Sequence, residues 1–245
     1  MKKYISIIIA TFNSERYLER CLKSVVRQKG ENIQLIIVDN ASTDGTLKLL
    51  NQFQEYIDFL ISERDDGIYD AWNKGLKVSE GEWIMFLGSD DILLEGTLNH
   101  YCEFVDNTVY FDYIAPVINM VNSSGNFVKK FGEPFVWMKF KKNMNMAHVG
   151  ALHNRKLFLD VGVFDPNFKI CGDYELLLRK HQFLRVCYTE KIVANMQLGG
   201  VSQNNIKALY EARKAKIKHV TSYNFWDDAL YLLSIVKFSL GGSRN

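Results

Sequence analysis

Residues Phe86-Leu-Gly-Ser-Asp-Asp-Ile-Leu-Leu94 decide how the chain is read: an apolar run ends in two adjacent carboxylates, then turns apolar again. With Trp83-Ile-Met85 ahead of it, the apolar half reads as a buried strand. Two like charges side by side repel, and burying even one is costly unless a cation or hydrogen-bond donors compensate. A solvated Ser-Asp-Asp turn capping the next helix would account for the pair. So would a divalent cation, Mg²⁺ or Mn²⁺ rather than zinc, because no His/Cys cluster accompanies the oxygens.

Toward the N-terminus the strand-then-turn pattern repeats. Tyr4 to Thr11 is Ile-rich and nearly unbroken, as a parallel strand buried on both faces requires. Asn13 and Ser14 then open a helix in which Tyr17, Leu18, Cys21, Leu22, Val25 and Val26 recur at helical spacing. Gln34 to Val38 is a second strand, ending in the turn and capping cluster Asp39-Asn-Ala-Ser-Thr-Asp-Gly-Thr46, and Leu47, Leu50 and Phe53 mark the next helix. Phe59 to Ser62 reads as a third strand and Ile68 to Val78 as a third helix, closed near Gly81. Alternation over the first ~95 residues implies a mainly parallel sheet with right-handed crossovers. Ligands of such sheets collect at the carboxyl ends of the strands. Asp39, Arg64-Asp65-Asp66 and Asp90-Asp91 each follow a predicted strand, so three strand ends bring carboxylates toward one site.

The second half is less regular. Val109 to Val121 and Phe127 to Phe131 flank Asn122-Ser-Ser-Gly-Asn126 as an antiparallel hairpin. Lys139 to Met146 reads as a basic, flexible loop, Phe164 to Phe168 as a turn, and Tyr174 to His181 as a helix opened by Asp173. A basic helix is expected from Asn204 to Val220, followed by the apolar stretch Phe225 to Phe238.

With 245 residues, 47% of them hydrophobic, the chain can build one large α/β domain. Its net charge of +2 carries no global signal for a nucleic-acid partner. The four cysteines form no CxxC pair and fit reduced thiols of a cytosolic protein. Met1 to Phe12 runs into Asn13-Ser-Glu-Arg16 without a small-residue cleavage site, so it reads as a first strand rather than a secretion signal. No apolar run approaches the ~20 residues of a membrane-spanning helix.

Each candidate site residue has two readings at this stage. Asp39 could accept hydrogen bonds from a nucleobase imide or a ribose, or cap the Ser42–Gly45 turn. Asp173 could be a general base or the capping acid of its helix. No GxGxxG follows the first strand, where Thr11-Phe-Asn-Ser-Glu-Arg16 stands instead, and no P-loop is present.

The ordered motifs SIIIATFNSERYLERCLKSVVRQ, IIVDNASTDGT, DDGIYDAWNKGL and GEWIMFLGSDD together resemble the family 2 glycosyltransferases with the GT-A fold. The match spans most of residues 4–96 and continues more weakly through His148, GVFDPNFKICGDYELLLR and GGVS. The GIYDAWNKG and GGVS forms are most similar to bacterial enzymes that build surface polysaccharides. The resemblance implies a GT-A domain over 1–203, with a nucleotide-sugar half (1–96) and an acceptor and catalytic half (97–203), and a helical extension over 204–245. It implies that Thr11, Asn13 and Glu15 wrap the nucleotide, that Asp39 recognises the base (typically uracil), and that Asp66, Asn73 and Lys74 belong to the donor-site motif. Asp91 would bind Mn²⁺ or Mg²⁺, Asp90 the ribose or the metal, and His148 would lie near the acceptor and pyrophosphate. Asp173 matches the catalytic base of an inverting transfer from a nucleotide-diphosphate sugar to a glycan or lipid-linked acceptor.

Two positions depart from the family pattern. Gly88 stands where the metal motif Asp-x-Asp-Asp has its first acid, and Gly172 where the base segment has Glu before Asp. These departures keep a non-catalytic sugar-nucleotide-binding protein open as an alternative. A sugar nucleotidyltransferase would need a Gly-rich basic loop after the first strand, which ATFNSER does not supply. The extension, with Lys207, Arg213, Lys214, Lys216 and Lys218 ahead of an apolar stripe, suits an anionic membrane surface at the cytoplasmic face, packing on the domain, or a second subunit of a homo-oligomer.

Overall fold

The computed structural model describes residues 4–106, 110–199 and 205–241. The first half alternates as the apolar runs require: β1 (Ile5–Thr11), α1 (Glu15–Val26), β2 (Ile33–Asp39), α2 (Thr46–Gln52), β3 (Phe59–Ser62), α3 (Ile68–Val78) and β4 (Trp83–Gly88). These strands lie in the order β3-β2-β1-β4, all parallel, with Thr11 beside Asp39, Asp39 beside Ser62 and Ala10 beside Gly88. Their carboxyl ends therefore form one edge.

Side chains alternate between the two faces of the pleat. Ile7, Ile9, Leu35, Ile37, Met85 and Leu87 pack with Leu18, Cys21, Leu22 and Val25 of α1. Ile8, Ile36, Val38, Ile84 and Phe86 pack instead with Tyr69, Ala71 and Trp72 of α3. Burial on both faces is why these runs read as continuous rather than alternating.

Beyond β4 the chain adds β5 (Ile92–Leu93), α4 (Thr97–Asp106), β6 (Tyr113–Val121), β7 (Phe127–Phe131), α5 (Trp137–Phe140), β8 (Leu152–Asn154) and α6 (Arg155–Val161). It ends with α7 (Gly172–Leu178), β9 (Val186–Gln197), α8 (Ile206–His219) and α9 (Phe225–Gly241). The sheet continues β4-β8-β6-β9-β5, with β8 antiparallel to β4 and β6, and β5 antiparallel to β9. β7 forms the expected hairpin with β6. The result is the expected α/β architecture with a small antiparallel portion.

Three local expectations change. Ile92-Leu93 does not open a helix but pairs with Ala194 and Asn195 of β9, which clamps the Asp90-Asp91 turn between two strands. The Lys139–Met146 segment is not a free loop, because α5 enters it and Phe140 and Met146 are fully buried. Asp173 is the second residue of α7 rather than its cap, the cap position falling to Cys171. Most of the GGVS segment, from Gly200 on, lies outside the described residues.

Candidate active site

The carboxyl edge of the parallel strands is organised by Asp39. Its side chain is fully buried, and it accepts four hydrogen bonds: from the Thr11 hydroxyl at 2.9 Å, the Ser42 hydroxyl at 2.5 Å, the Ser42 N–H at 3.0 Å and the Ser62 hydroxyl at 2.9 Å. That uses about all the acceptor positions a carboxylate has. Asp39 thus ties the ends of three strands together. The loop after β1 is locked to the loop after β2 in turn. Asn13 donates its N–H to the Ser42 hydroxyl and accepts from the Thr43 N–H, while the Glu15 carboxylate accepts from the Gly45 N–H. Asn13 and Ala41 have φ of 46° and 47°, a left-handed backbone that these cross-links hold in place. Phe12, just ahead of Asn13, is 59% exposed, a large aromatic held out beside the strand ends.

The loop between β3 and α3 carries the next acids. Asp65 accepts from the Gly67 N–H, and its carboxyl is pushed up by burial. Asp66 is exposed, its N–H donating to Asp70 and its carbonyl accepting from Lys169 Nζ at 2.5 Å. Asn73 and Lys74 turn to the protein. The Asn73 amide exchanges two hydrogen bonds with the Phe164 backbone, and Lys74 pairs with Glu63 and donates to the Arg64 carbonyl. Both hold the β3–α3 loop in shape.

At the end of β4, Asp91 is buried and accepts from the Gly88 and Gln197 N–H groups. Burial, then the neighbouring Asp90 charge, raises its carboxyl to about 7, against the pull of those two donors. Burial also raises Asp90, opposed in part by the Arg20 charge. A Cβ at Gly88 would lie 2.7 Å from Asp91 Oδ2 and 3.0 Å from Asp90 Oδ1, so the two carboxylates occupy the space a third acid would need. Ser14 Oγ lies 2.9 Å from Ser89 Oγ and joins this turn to the loop after β1. Among the described residues no group of three His, Cys, Asp or Glu side chains forms a metal cage. An adjacent pair of carboxylates that burial and mutual repulsion disfavour as charges nonetheless fits Mg²⁺ or Mn²⁺, which are commonly held by one or two carboxylates plus substrate phosphates.

The opposite wall is built by α3 and α7. Tyr69, in the first turn of α3, directs its hydroxyl at the Ile170 carbonyl (2.8 Å) and at Asp173 Oδ1 (3.1 Å). A Cβ at Gly172 would lie 2.8 Å from two carbons of the Tyr69 ring, which is why no larger residue stands before Asp173. His148 stacks on Trp72 (centroids 5.0 Å apart) and on Phe86 (5.7 Å), with its Nε2 shut off from solvent and unpartnered. Burial lowers its pKa while the Asp173 charge works against that. His153, fully buried 5.0 Å behind it, is held neutral more strongly, by burial and then by His148.

The family model described as Glycosyl transferase family 2 matches residues 6–164. The chain belongs to that family. This glycosyltransferase is 32% identical over 204 residues to the PGL/p-HBAD biosynthesis glycosyltransferase of Mycobacterium tuberculosis, covering 80% of this chain and 78% of the relative. Its fold matches Staphylococcus aureus TarS 1–349 in complex with UDP, with TM-score 0.71, 20% identity, and coverage of 91% of this chain and 67% of that one. It also matches the mannosyltransferase PcManGT from Pyrobaculum calidifontis in complex with GDP-Man and Mn²⁺, with TM-score 0.61, 14% identity, and 96% and 80% coverage. The fold is therefore GT-A, as the motifs led one to expect.

The structure adds two residues that sequence reading passed over. Phe12 could have been found as an aromatic in the first strand-end turn. Tyr69 could not, because its partner Asp173 lies 104 residues away.

Proposed function

We propose that this glycosyltransferase moves a sugar from a UDP-sugar, with inversion, to a hydroxyl of a glycan or lipid-linked acceptor in polysaccharide biosynthesis at the cytoplasmic face of a membrane. The transferase domain spans 1–203, and 204–245 extend it, with Ala215 of α8 and the following Val220 packed into the domain's core. The nucleotide lies along the edge framed by Thr11, Asn13, Glu15 and Asp39, with the exposed Phe12 ring offered to the face of the base. Asp66 faces the donor, and Asn73 and Lys74 keep its loop in place. Asp90 meets the ribose or the metal, and Asp91 the metal. When bound there, Mn²⁺ or Mg²⁺ neutralises charge on the diphosphate leaving group.

Asp173 accepts the proton of the attacking hydroxyl, whose oxygen forms a bond to the anomeric carbon as the bond to the diphosphate breaks and UDP departs with the electron pair. Attack from the face opposite the leaving group inverts that carbon. Tyr69 fixes the orientation of the base, and His148 stands beside the acceptor and pyrophosphate.

The observation that carries this reading is the adjacent Asp90–Asp91 pair at the carboxyl end of β4, with the buried Asp91 raised to about 7 by burial and then by the Asp90 charge. Two measurements test it. Calorimetry of UDP binding is expected to show Mn²⁺-dependent affinity in the wild type that Asp91→Ala removes. A panel of UDP-sugars is expected to contain one from which UDP is released, and Asp173→Asn should bind UDP normally but turn over at least ~100-fold more slowly. UDP binding indifferent to Mn²⁺ in the wild type would sink the metal assignment, and full turnover in Asp173→Asn the base.

A further inference from the structure

Three consecutive backbone N–H groups just ahead of Asp173 converge on one carboxylate. Glu211 of α8 accepts from Lys169 at 2.9 and 3.1 Å, from Ile170 at 2.8 Å and from Cys171 at 2.9 Å. Successive N–H groups turned to one side form a concave anion nest. Here the nest is filled by a residue forty positions downstream. The cap residue of α7, Cys171, supplies no side-chain cap of its own. Its thiol leans instead on the Ala208 carbonyl of α8, at 3.4 Å.

Two of these three residues, Lys169 and Ile170, reach the rest of the site. Lys169 Nζ donates to the Asp66 carbonyl, and the Ile170 carbonyl accepts from the Tyr69 hydroxyl that also faces Asp173. Past Asp173, the other end of α8 grips α7 again, with Lys218 and His219 on the buried Glu175 at 3.1 and 2.6 Å. α8 therefore holds α7 on both sides of Asp173. Without Glu211, three donors would lose their common acceptor and the Lys169–Cys171 strap would have no fixed path between the donor loop and the base.

We propose that Glu211 is a positioning residue for Asp173: it sets the strap from which the base projects and ties that base to the donor loop through Lys169. The proposal rests on Asp173 being the base. A displacement of about 1 Å at a reacting group can cost about 100-fold in rate, so the effect belongs in turnover rather than in donor affinity.

The test uses Glu211→Ala, Glu211→Gln, Asp173→Asn and the Glu211→Ala/Asp173→Asn double variant in the full chain. Glu211→Ala is expected to lower the rate of UDP release by about 10- to 100-fold with UDP affinity within about 3-fold of wild type. Glu211→Gln, which keeps one acceptor oxygen, should fall between. The double variant should be no slower than Asp173→Asn alone, because Glu211 acts through a base that is already gone. Hydrogen exchange on the donor-free enzyme should show lost protection at 169–171 in Glu211→Ala, with β4 unchanged. Unaltered turnover, unaltered exchange at the strap, or losses that multiply in the double variant would each overturn the proposal. Full turnover in Asp173→Asn would instead overturn the assignment of the base, so the two failures are separable.

Discussion

A Cβ on Gly172 would sit 2.8 Å from Tyr69 Cδ2 and Cε2 and 2.9 Å from Cζ, closer than a ring and a methyl can approach. The space of the acid missing before Asp173 is thus taken by a tyrosine that hydrogen-bonds to Asp173. Gly88 follows the same rule, its space being filled by the carboxylates of Asp90 and Asp91. Both departures were visible in the sequence, but their causes were not, since a glycine's neighbours across the fold leave no local trace. Gly172→Ala is expected to cost about 1–3 kcal/mol in denaturant unfolding, as overpacking of a filled site does. In a Tyr69→Ala background, where the ring is gone, the same substitution should cost less than half as much. An equal cost in both backgrounds would show that Tyr69 is not what excludes the side chain.

Among the elements, the pairing of α7 with α8 depends on a buried charge. Glu175 is fully buried, and it is met by Arg179 Nη2 at 2.5 Å, His219 Nε2 at 2.6 Å and Lys218 Nζ at 3.1 Å. Burial alone would raise its carboxyl, but His219, Arg179 and Lys218 overcome that and bring it down from an ordinary 4.5 to about 2. A folded value below the unfolded one gives stability that is full above pH 4.5 and lost as the pH falls toward 2. Thermal melts of the wild type should therefore fall steeply across that window, and those of Glu175→Gln less steeply. At neutral pH Glu175→Gln should be less stable by about 3–5 kcal/mol, because Arg179 and Lys218 lose their charged partner. Parallel melting curves for the two proteins would show that Glu175 does not set the acid limb. None of this network was legible beforehand: Lys218 read as one of the basic residues ahead of an apolar stripe, and nothing in the sequence singled out Glu175 or His219. The strands and helices of the first half were legible almost to the residue, because burial on both faces writes continuous apolar runs in β1, β2 and β4. The Lys139–Met146 segment was misread because Lys139, Lys141, Lys142 and its asparagines mask Phe140 and Met146, which enter the core singly.

For the whole molecule, the sheet order past β4 could not be read in advance, since β8 has three residues and β5 two, too short for any period to show. The extension likewise divides in a way composition hides. α8 places Ala215 in the core, followed by the buried Val220, and four of its five Lys and Arg side chains are engaged with the protein: Arg213 with Asp228, Lys214 over the Phe168 ring, Lys216 with the Lys142 carbonyl, Lys218 with Asp165 and Glu175. α9 differs, with Phe225, Leu232, Leu233 and Val236 each more than half exposed. No helix among the described residues is long and apolar enough to cross a membrane. Contact with a membrane surface would then rest on the apolar side chains of α9 rather than on a polybasic patch. A free cation near an anionic surface contributes about 1 kcal/mol, so five free ones would change affinity by more than about 1,000-fold between neutral and anionic vesicles. With four of the five engaged, the expected change is about 10-fold or less. Co-sedimentation should show the full chain on neutral and anionic vesicles alike, and a chain ending at residue 224 on neither. That shorter chain should still fold and bind UDP. A chain ending at residue 203 should not, because it loses Glu211, Lys218, His219 and the core contacts of α8. Steep dependence on anionic lipid would mean that the α8 cations leave their partners at a membrane, and vesicle binding by the chain ending at 224 would move the contact away from α9.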